Sequence, residues 1–142
     1  MKKFSDHFAY NGLRAGEVAN LELDDIDWGT GEVVIRGKGN RVDRMPLLRE
    51  VGEAVAGYLK RGRPCCSSRR VFVHCKAPYA GFSSPPNAVS GIVDRALARA
   101  GLNPPNHGAH LLRHSLATNL LRSGASLTQI GQVLRHQQTQ TT

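Results

Sequence analysis

The chain has 142 residues, a length that fits one domain large enough to enclose its own hydrophobic core. It is 40% hydrophobic and 21% charged, and its 19 Lys and Arg against 11 Asp and Glu give a net charge of +8. This composition is typical of a globular protein and excludes a disordered or fibrous one. No apolar run approaches the roughly 20 residues of a membrane span, and the first seven residues carry two lysines without an apolar segment, so neither a membrane nor a secreted protein is expected.

The first half of the chain predicts a short helix followed by a small sheet. Apolar residues at helical spacing indicate a helix over residues 14–20. Three short segments separated by glycine-rich turns then predict strands over residues 24–28, 32–36 and 41–47. Because each turn is short, we expect the three strands to form an antiparallel meander.

The second half predicts mostly helices. Apolar spacing indicates helices over 48–61, 87–100 and 110–122, and a last helix runs from an N-capping Ser126 to about residue 135. A short strand is predicted over 70–74. The predicted fold class is therefore α+β, mainly helical, with one small three-stranded antiparallel sheet.

The charge is distributed unevenly along the chain. Residues 1–35 carry 3 basic and 7 acidic side chains, residues 36–94 carry 11 and 4, and residues 95–142 carry five arginines, four histidines and no acid. Fourteen of the 19 basic residues are Arg, whose planar fork binds phosphate oxygens in pairs. The pattern favours a polyanion partner, most simply nucleic acid, over a merely solvated arginine-rich face.

Three cysteines, at positions 65, 66 and 75, give an odd number without the spacing of a disulfide framework. They indicate a reducing compartment and no disulfide bonds. His74 beside Cys75 lacks the further ligands that a metal site requires, so no metal is expected there.

The densest polar cluster of the sequence is the segment from His107 to His114. On a helix His110, Arg113 and His114 lie on one face, since residues three and four apart are neighbours. A zinc site of the HExxH type would need Glu where Leu111 stands, and an arginine within the set repels a cation. The cluster therefore predicts an anion site, and the simpler alternative is a pair of helix-end histidines bonded to the backbone.

Taken together, five segments of the chain resemble the catalytic domain of tyrosine site-specific recombinases, the phage-integrase-like enzymes. The resemblance covers essentially the whole chain and implies the catalytic-domain fold of that family. The segments are Asn11-Gly12-Leu13-Arg14-Ala15-Gly16-Glu17, Asp25-Ile26, Gly37-Lys38-Gly39-Asn40, His110-Leu111-Leu112-Arg113-His114-Ser115-Leu116-Ala117-Thr118 and Leu134-Arg135-His136.

The resemblance implies a set of catalytic roles. Arg14 and Arg113 are the two phosphate-binding arginines, and His136 resembles the histidine that donates to a phosphoryl oxygen. His110 is the proton-transfer histidine, and Lys38 protonates the leaving 5′-oxygen of the DNA. The implied reaction is metal-free and cofactor-free strand cleavage and rejoining through a 3′-phosphotyrosyl intermediate, serving DNA integration or recombination.

Further residues have supporting roles by the same resemblance. Glu17 orients polar groups around Arg14 unless it is simply an exposed helix glutamate, and His114 is a structural neighbour. The implied partner is double-stranded DNA, on which full-length relatives assemble as tetramers, so we expect a cytoplasmic, nucleoid-associated protein. The residues expected to contact the DNA backbone are Arg36, Arg41, Arg44 and Arg135.

The sequence also departs from the family pattern. The family's nucleophilic tyrosine lies about nine residues beyond His136, whereas this chain ends at Thr142 and its tyrosines at 10, 58 and 79 do not match that position. Only 13 residues precede Arg14, where relatives have further helices and a DNA-clamping domain. Residues 1–142 are thus expected to form a single incomplete catalytic domain, trimmed or a degraded remnant, that cannot cleave DNA in cis. Arg135 stands where the family usually has glycine.

The alternative function is a non-catalytic DNA-binding module. Helices 110–122 and 126–135 joined by a short glycine turn resemble a helix-turn-helix. Arg14 and Lys38 have no role in such a module, and the apolar side chains of the last helix suggest that it is largely packed, which favours the recombinase. The second helix would read bases through Ser126, Thr128, Gln129 and Gln132, and its apolar residues are Leu127, Ile130, Val133 and Leu134.

Overall fold

The computed structural model describes residues 13–37, 39, 41–83 and 85–134. These residues form five α-helices, one 3-10 helix and a three-stranded sheet, which confirms the predicted mainly helical α+β class. In chain order the elements are α1 (Ala15–Ala19), the 3-10 helix (Leu23–Asp25), β1 (Ile26–Asp27), β2 (Glu32–Arg36), β3 (Val42–Pro46), α2 (Arg49–Arg61), α3 (Pro85–Arg99), α4 (Ala109–Arg122) and α5 (Leu127–Val133).

The sheet is an antiparallel meander in the order β1-β2-β3, as predicted. Ile26 pairs with Val33, and β2 pairs with β3 along its whole length from Glu32 opposite Pro46. The turn between β1 and β2 is fixed by Asp27, whose carboxylate accepts the backbone N–H groups at positions 29 and 30 over 2.9 and 3.0 Å. These hydrogen bonds, with Thr30 first, lower the pKa of Asp27 because they stabilise its charged form.

The first strand is shorter than predicted, and its start was assigned wrongly. Residues 24 and 25 belong to the 3-10 helix, which leaves β1 only two residues. The cause is Asp25, whose Oδ2 accepts the backbone N–H of Glu22 over 2.9 Å and caps that helical turn. A side chain that bonds its own backbone competes with the strand ladder, so the chain turns before it pairs.

The core lies between the sheet and α2. Val33 and Ile35 alternate toward it along β2, and Val51 and Val55, four residues apart, face it from α2. The fully enclosed cluster consists of Leu21, Ile26, Val33, Ile35, Val51, Val55 and Val71.

The strand predicted over 70–74 is wrong. Within this segment only Arg70 forms a bridge, with Glu22. Arg63 explains the difference, because its guanidinium donates to the carbonyls of Ser68, Arg70 and Val71 over 2.6 to 3.2 Å. Those carbonyls are therefore bonded to a side chain instead of a neighbouring strand, and the segment remains an irregular loop.

Three of the helices form the second half of the molecule, with α3 at its centre. α3 packs against α1 and against α4, and α4 packs against α5. The β-carbon that any other residue would carry at Gly16 of α1 would lie 3.8 Å from Cγ of Pro86, so the two helices are in close contact there. Over the described residues, no helix is both long and apolar enough to span a bilayer.

Candidate phosphate-binding site

Arg14 stands at the N-cap of α1 and is held by Glu17. The backbone N–H of Arg14 donates to Oε2 of Glu17 over 2.8 Å, and its Nη1 lies 3.4 Å from Oε1. The Glu17 side chain is only 7% exposed, whereas that of Arg14 is 48% exposed. Glu17 is therefore not the exposed helix glutamate of the simpler interpretation. It anchors the arginine, whose guanidinium reaches solvent.

The His110 cluster lies in the first two turns of α4, as the spacing predicted. His110 and His114 are exposed, and Arg113 is half-buried on the same face of the helix. Nη2 of Arg113 donates to the backbone carbonyl of Leu134 at the end of α5. This contact fixes the direction of the guanidinium and joins α4 to α5.

The N-terminus of α4 receives its caps from α3. Gly108, the N-cap residue, has no side chain to accept the first free N–H groups of the helix, and its backbone has φ 83° and ψ −177°. Asp94 accepts the Gly108 N–H over 2.7 Å, and the Ser90 hydroxyl accepts the Ala109 N–H over 3.3 Å. Nδ1 of His107 lies 3.7 Å from the same carboxylate oxygen. These contacts hold the turn that precedes His110.

Sequence reasoning missed Ser90 and Asp94 as members of this site. A signal for them was present in the sequence, because a glycine N-cap before a polar helix requires acceptors from elsewhere. Asp94 is also the last acidic residue of the chain. The partner of that N-cap lies 14 residues away, however, and local patterns do not identify it.

Two of the arginines expected to contact DNA are paired within the protein. Nε and Nη2 of Arg36 both donate to Oδ1 of Asp25, over 3.1 and 2.9 Å, and Asp25 is only 3% exposed. Arg44 lies 3.6 Å from Glu32 across the outer face of the sheet. Both arginine side chains remain more than half exposed, and Arg41 is exposed at the start of β3.

The remaining predicted site residues, Lys38, Arg135 and His136, lie outside the described residues. The base of the Lys38 turn is described, because the N–H of Gly37 donates to the carbonyl of Arg41 over 2.8 Å. Gly39 has φ 76°, a left-handed conformation that favours glycine and permits a tight hairpin.

The structure brings the arginine-bearing elements onto one scaffold. α1, which follows Arg14, and α4, which carries His110 and Arg113, both pack against α3. In the described part of the chain, no group of three His, Cys, Asp or Glu side chains is placed to hold a metal ion. The described site residues include the guanidinium groups of Arg14 and Arg113, which are of the kind that binds anions.

Two of the four α5 residues that would read bases in a helix-turn-helix, Ser126 and Gln129, cap their own helix. Ser126 and Gln129 form a reciprocal cap, in which Oγ of Ser126 accepts the Gln129 N–H over 3.2 Å and Oε1 of Gln129 accepts the Ser126 N–H over 2.8 Å. Gln129 is therefore engaged by its own helix. Of the apolar residues predicted to pack, Ile130 and Leu134 are buried, whereas Leu127 and Val133 are exposed.

The two tyrosines that the structure describes do not belong to the helices that carry the site residues. Tyr58 belongs to α2 and packs on Phe72 with the ring centroids 5.5 Å apart. Burial raises the pKa of its hydroxyl, although a hydrogen bond with the Val73 backbone acts in the opposite direction. Tyr79 is exposed in the loop between α2 and α3.

Comparison with known proteins is consistent across sequence and structure. The sequence matches the Phage integrase family over residues 4–142. It is 52% identical over 131 residues to a protein of Sinorhizobium fredii named as integrase/recombinase y4rA, covering 92% of this chain and 32% of that protein. It is 34% identical over 136 residues to tyrosine recombinase XerD of Mycobacterium tuberculosis, covering 92% of this chain and 42% of that protein.

The fold agrees with the sequence match. The crystal structure of XerA recombinase superposes with a TM-score of 0.71 at 28% identity, covering 90% of this chain and 46% of that chain. The chain spans less than half the length of each of these three relatives. With its three-stranded meander, its arginine-bearing helices and these matches, the chain belongs to the phage integrase family of tyrosine recombinases.

Proposed function

We propose that this chain is the phosphate-binding catalytic core of a site-specific DNA recombinase. The observation that carries the proposal is the common scaffold of its arginines. Glu17 anchors Arg14 at the start of α1, and α4 carries His110 and Arg113, while both helices pack on α3. Two guanidinium groups on helices that pack against the same third helix suit the binding of a single phosphate.

The proposed reaction exchanges one phosphate ester for another. A tyrosine oxygen attacks the phosphorus, its proton passes to His110, and the 5′-oxygen of the DNA leaves with a proton from Lys38. The products are a 3′-phosphotyrosyl bond and a free 5′-hydroxyl, and the reverse reaction with another 5′-hydroxyl rejoins the strands. Negative charge grows on the non-bridging oxygens in the transition state, and Arg14, Arg113 and His136 stabilise it there.

The proposal includes neither a metal nor a cofactor, because cationic side chains supply the charge stabilisation. It also assigns the nucleophile to none of the three tyrosines in these 142 residues. The isolated chain is therefore expected to bind DNA without forming a covalent bond to it. Duplex DNA is the partner, and we infer that the whole protein adds a DNA-clamping domain and assembles as a tetramer on its site.

A covalent-capture experiment tests this function. We would extend the chain beyond Thr142 so that a tyrosine stands about nine residues past His136, and mix it with a randomised pool of nicked duplexes. Cleavage next to the nick releases a short fragment that carries the free 5′-hydroxyl. This fragment diffuses away, so the strand is not rejoined and the enzyme remains attached to the DNA through the added tyrosine. We expect a detergent-resistant adduct that disappears when the added residue is phenylalanine or when Arg113 is replaced by Ala.

Two outcomes would contradict the proposal. One is a folded, DNA-binding extended chain that forms no adduct. The other is an adduct that forms equally well with Arg113→Ala, since the transition-state charge would then be stabilised elsewhere. Arg122→Ala on the same helix is the matched control, because Arg122 is exposed in the last turn of α4, away from His110.

A further inference from the structure

We propose that Asp94 and Ser90 on α3 are positioning residues for the His110–Arg113 phosphate clamp. They fix the rotation and depth of α4, and thereby the place of both clamp side chains. The inference rests on the proposed function, which makes Arg113 a phosphate ligand and His110 the proton acceptor, and it extends that function to a second pair of residues.

The contact between α3 and α4 is close and specific. Ser90 and Asp94 are four residues apart, so they lie one turn apart on the same face of α3. Each accepts a different N–H of the α4 N-terminus, at Ala109 and Gly108 respectively. Two hydrogen bonds at separate points define an orientation, whereas a single bond would leave the helix free to pivot.

Gly108 is required for this close approach. A β-carbon on Gly108 would lie 3.1 Å from Oγ and 3.2 Å from Cβ of Ser90, closer than ordinary van der Waals contact. Its backbone, with φ 83° and ψ −177°, lies in a region that essentially only glycine occupies. The chain therefore lacks a side-chain cap on α4 itself and uses the acceptors of α3 instead.

Attraction to DNA does not explain why a carboxylate lies beside the N-terminus of α4. Residues 95–142 carry no acidic side chain, so Asp94 is the acid that lies nearest in sequence to the basic C-terminal half. A carboxylate near phosphate-binding groups repels DNA. Its hydrogen bond to the Gly108 N–H, at 2.7 Å, is the favourable contribution that offsets this repulsion.

α3 also connects the helix that follows Arg14 to the helix that carries Arg113. At its first turn Pro86 contacts α1 next to Gly16, two residues after Arg14. One and two turns later, Ser90 and Asp94 hold the helix of Arg113. The spacing between the two arginines is thus set along one helix, and a loosened Asp94 contact would change that spacing.

The test compares two substitutions that remove the same charge. Asp94→Asn retains an oxygen that can accept the Gly108 N–H, whereas Asp94→Ala retains none. Binding of each variant to a fluorescent random-sequence duplex is measured at fixed salt. We expect Asp94→Ala to bind about fivefold to tenfold more weakly than the original chain, the effect of one lost positioning hydrogen bond, and Asp94→Asn to bind no more weakly.

The result that would overturn the inference is equal behaviour of the two variants. If Asp94 acts only through its charge, both substitutions strengthen DNA binding to the same extent, because both remove a repulsive carboxylate. Glu53→Gln serves as the charge control, since Glu53 is an exposed acid paired with Arg49 on α2. It is expected to leave DNA affinity unchanged or slightly stronger.

A second comparison separates positioning from general damage and from failure of the proposed function. Arg113→Ala must weaken binding on its own, and if it does not, the proposed phosphate role fails. In the Arg113→Ala background, Asp94→Ala is expected to have only a small further effect, because the phosphate ligand that Asp94 positions is gone and only His110 remains. A full additional fivefold loss there would overturn the positioning role while leaving the phosphate role intact.

Ser90→Ala keeps the inference testable if Asp94→Ala does not fold. Because the Ser90 hydrogen bond is longer, at 3.3 Å, we expect a loss of about twofold to threefold in DNA affinity. That loss too should disappear in the Arg113→Ala background. A Ser90→Ala variant that binds DNA as tightly as the original chain would overturn the assignment of Ser90.

Discussion

Two arginines of the proposed site are fixed by different kinds of partner. Arg14 is anchored by a nearly buried carboxylate three residues away, so α1 and its N-cap act as one local unit. Arg113 donates instead to the carbonyl of Leu134, which lies 21 residues further along the chain. Arg14 therefore depends on local structure, whereas Arg113 depends on the packing of α4 against α5.

Glu17 offers a stability test of the first of these anchors. We expect Glu17→Ala to lower the free energy of unfolding by about 1–2 kcal/mol, because it removes both the cap on the Arg14 N–H and the ion pair. Glu53→Ala on α2 is the matched control, because its ion pair with Arg49 spans 3.2 Å but is largely exposed. It is expected to cost only about 0.3 kcal/mol.

Urea unfolding of both variants measures the difference. The same samples report the function of the anchor, because loss of Glu17 should weaken DNA binding while loss of Glu53 should not. Equal stability losses for the two substitutions would show that burial of Glu17 contributes nothing, and the interpretation of Glu17 as the anchor of Arg14 would be wrong.

At the level of elements, the N-terminus of α4 is held by two acceptors of α3. Gly108 combines a left-handed φ with close approach to Ser90. Gly124, which follows the other end of α4, has a similar φ of 86° but nothing within 4 Å of a β-carbon. The two glycines thus share a left-handed φ, and Gly108 adds an unfavourable ψ and a close contact.

Alanine substitutions at these two glycines should differ in cost. We expect Gly124→Ala to lower the free energy of unfolding by about 1 kcal/mol, the strain of a left-handed alanine. Gly108→Ala should cost at least about 2–3 kcal/mol, since its ψ adds strain and its methyl group would press on Ser90. Thermal or urea unfolding measures both, and similar costs would mean that α3 and α4 separate easily at this contact.

The elements that the sequence predicted well are those with local causes. The bounds of β2 agree with the glycine turns on either side, and the Ser126 cap was recognised from its own helix. The start of β1 was wrong because of a local cap, in which Asp25 accepts the Glu22 N–H, whereas the other misses depend on partners further away in sequence. Arg63 binds carbonyls five to eight residues away and prevents the 70–74 strand, and the caps of α4 come from 14 and 19 residues upstream. Local periodicity carries no information on such contacts.

At the scale of the whole molecule, the acids of residues 1–35 offset only part of the positive charge of residues 36–94, and the two segments together carry a net charge of +3. Five acids of residues 1–35 are paired with arginines, four of them from residues 36–94. In one such pair, between Arg69 and Asp24, the carboxylate raises the pKa of the arginine. The five arginines of residues 95–142 have no acid in their own segment, so the net positive charge is concentrated there.

This distribution sharpens the interpretation of the +8 charge. The arginines of residues 36–94, Arg36 and Arg44 among them, mostly stabilise the fold through carboxylates and carbonyls while their exposed faces remain available to DNA. The segment that contains α4 carries five arginines and no acid of its own, with Asp94 just before it as its nearest acid in sequence. Position within the fold, and not the number of basic residues, therefore determines which arginines we assign to the scissile phosphate.

The salt dependence of DNA binding shows whether Arg14 and Arg113 bind one and the same phosphate, as we propose. Each neutralised phosphate contributes about 0.9 to the slope of log K against log salt concentration. If the two arginines share a phosphate, Arg14→Ala and Arg113→Ala should each weaken binding with little change in slope, and the double variant should lose about 0.9. Slopes that fall by about 0.9 in each single variant and by about 1.8 in the double variant would place the arginines on two different phosphates, and the shared phosphate site would be wrong.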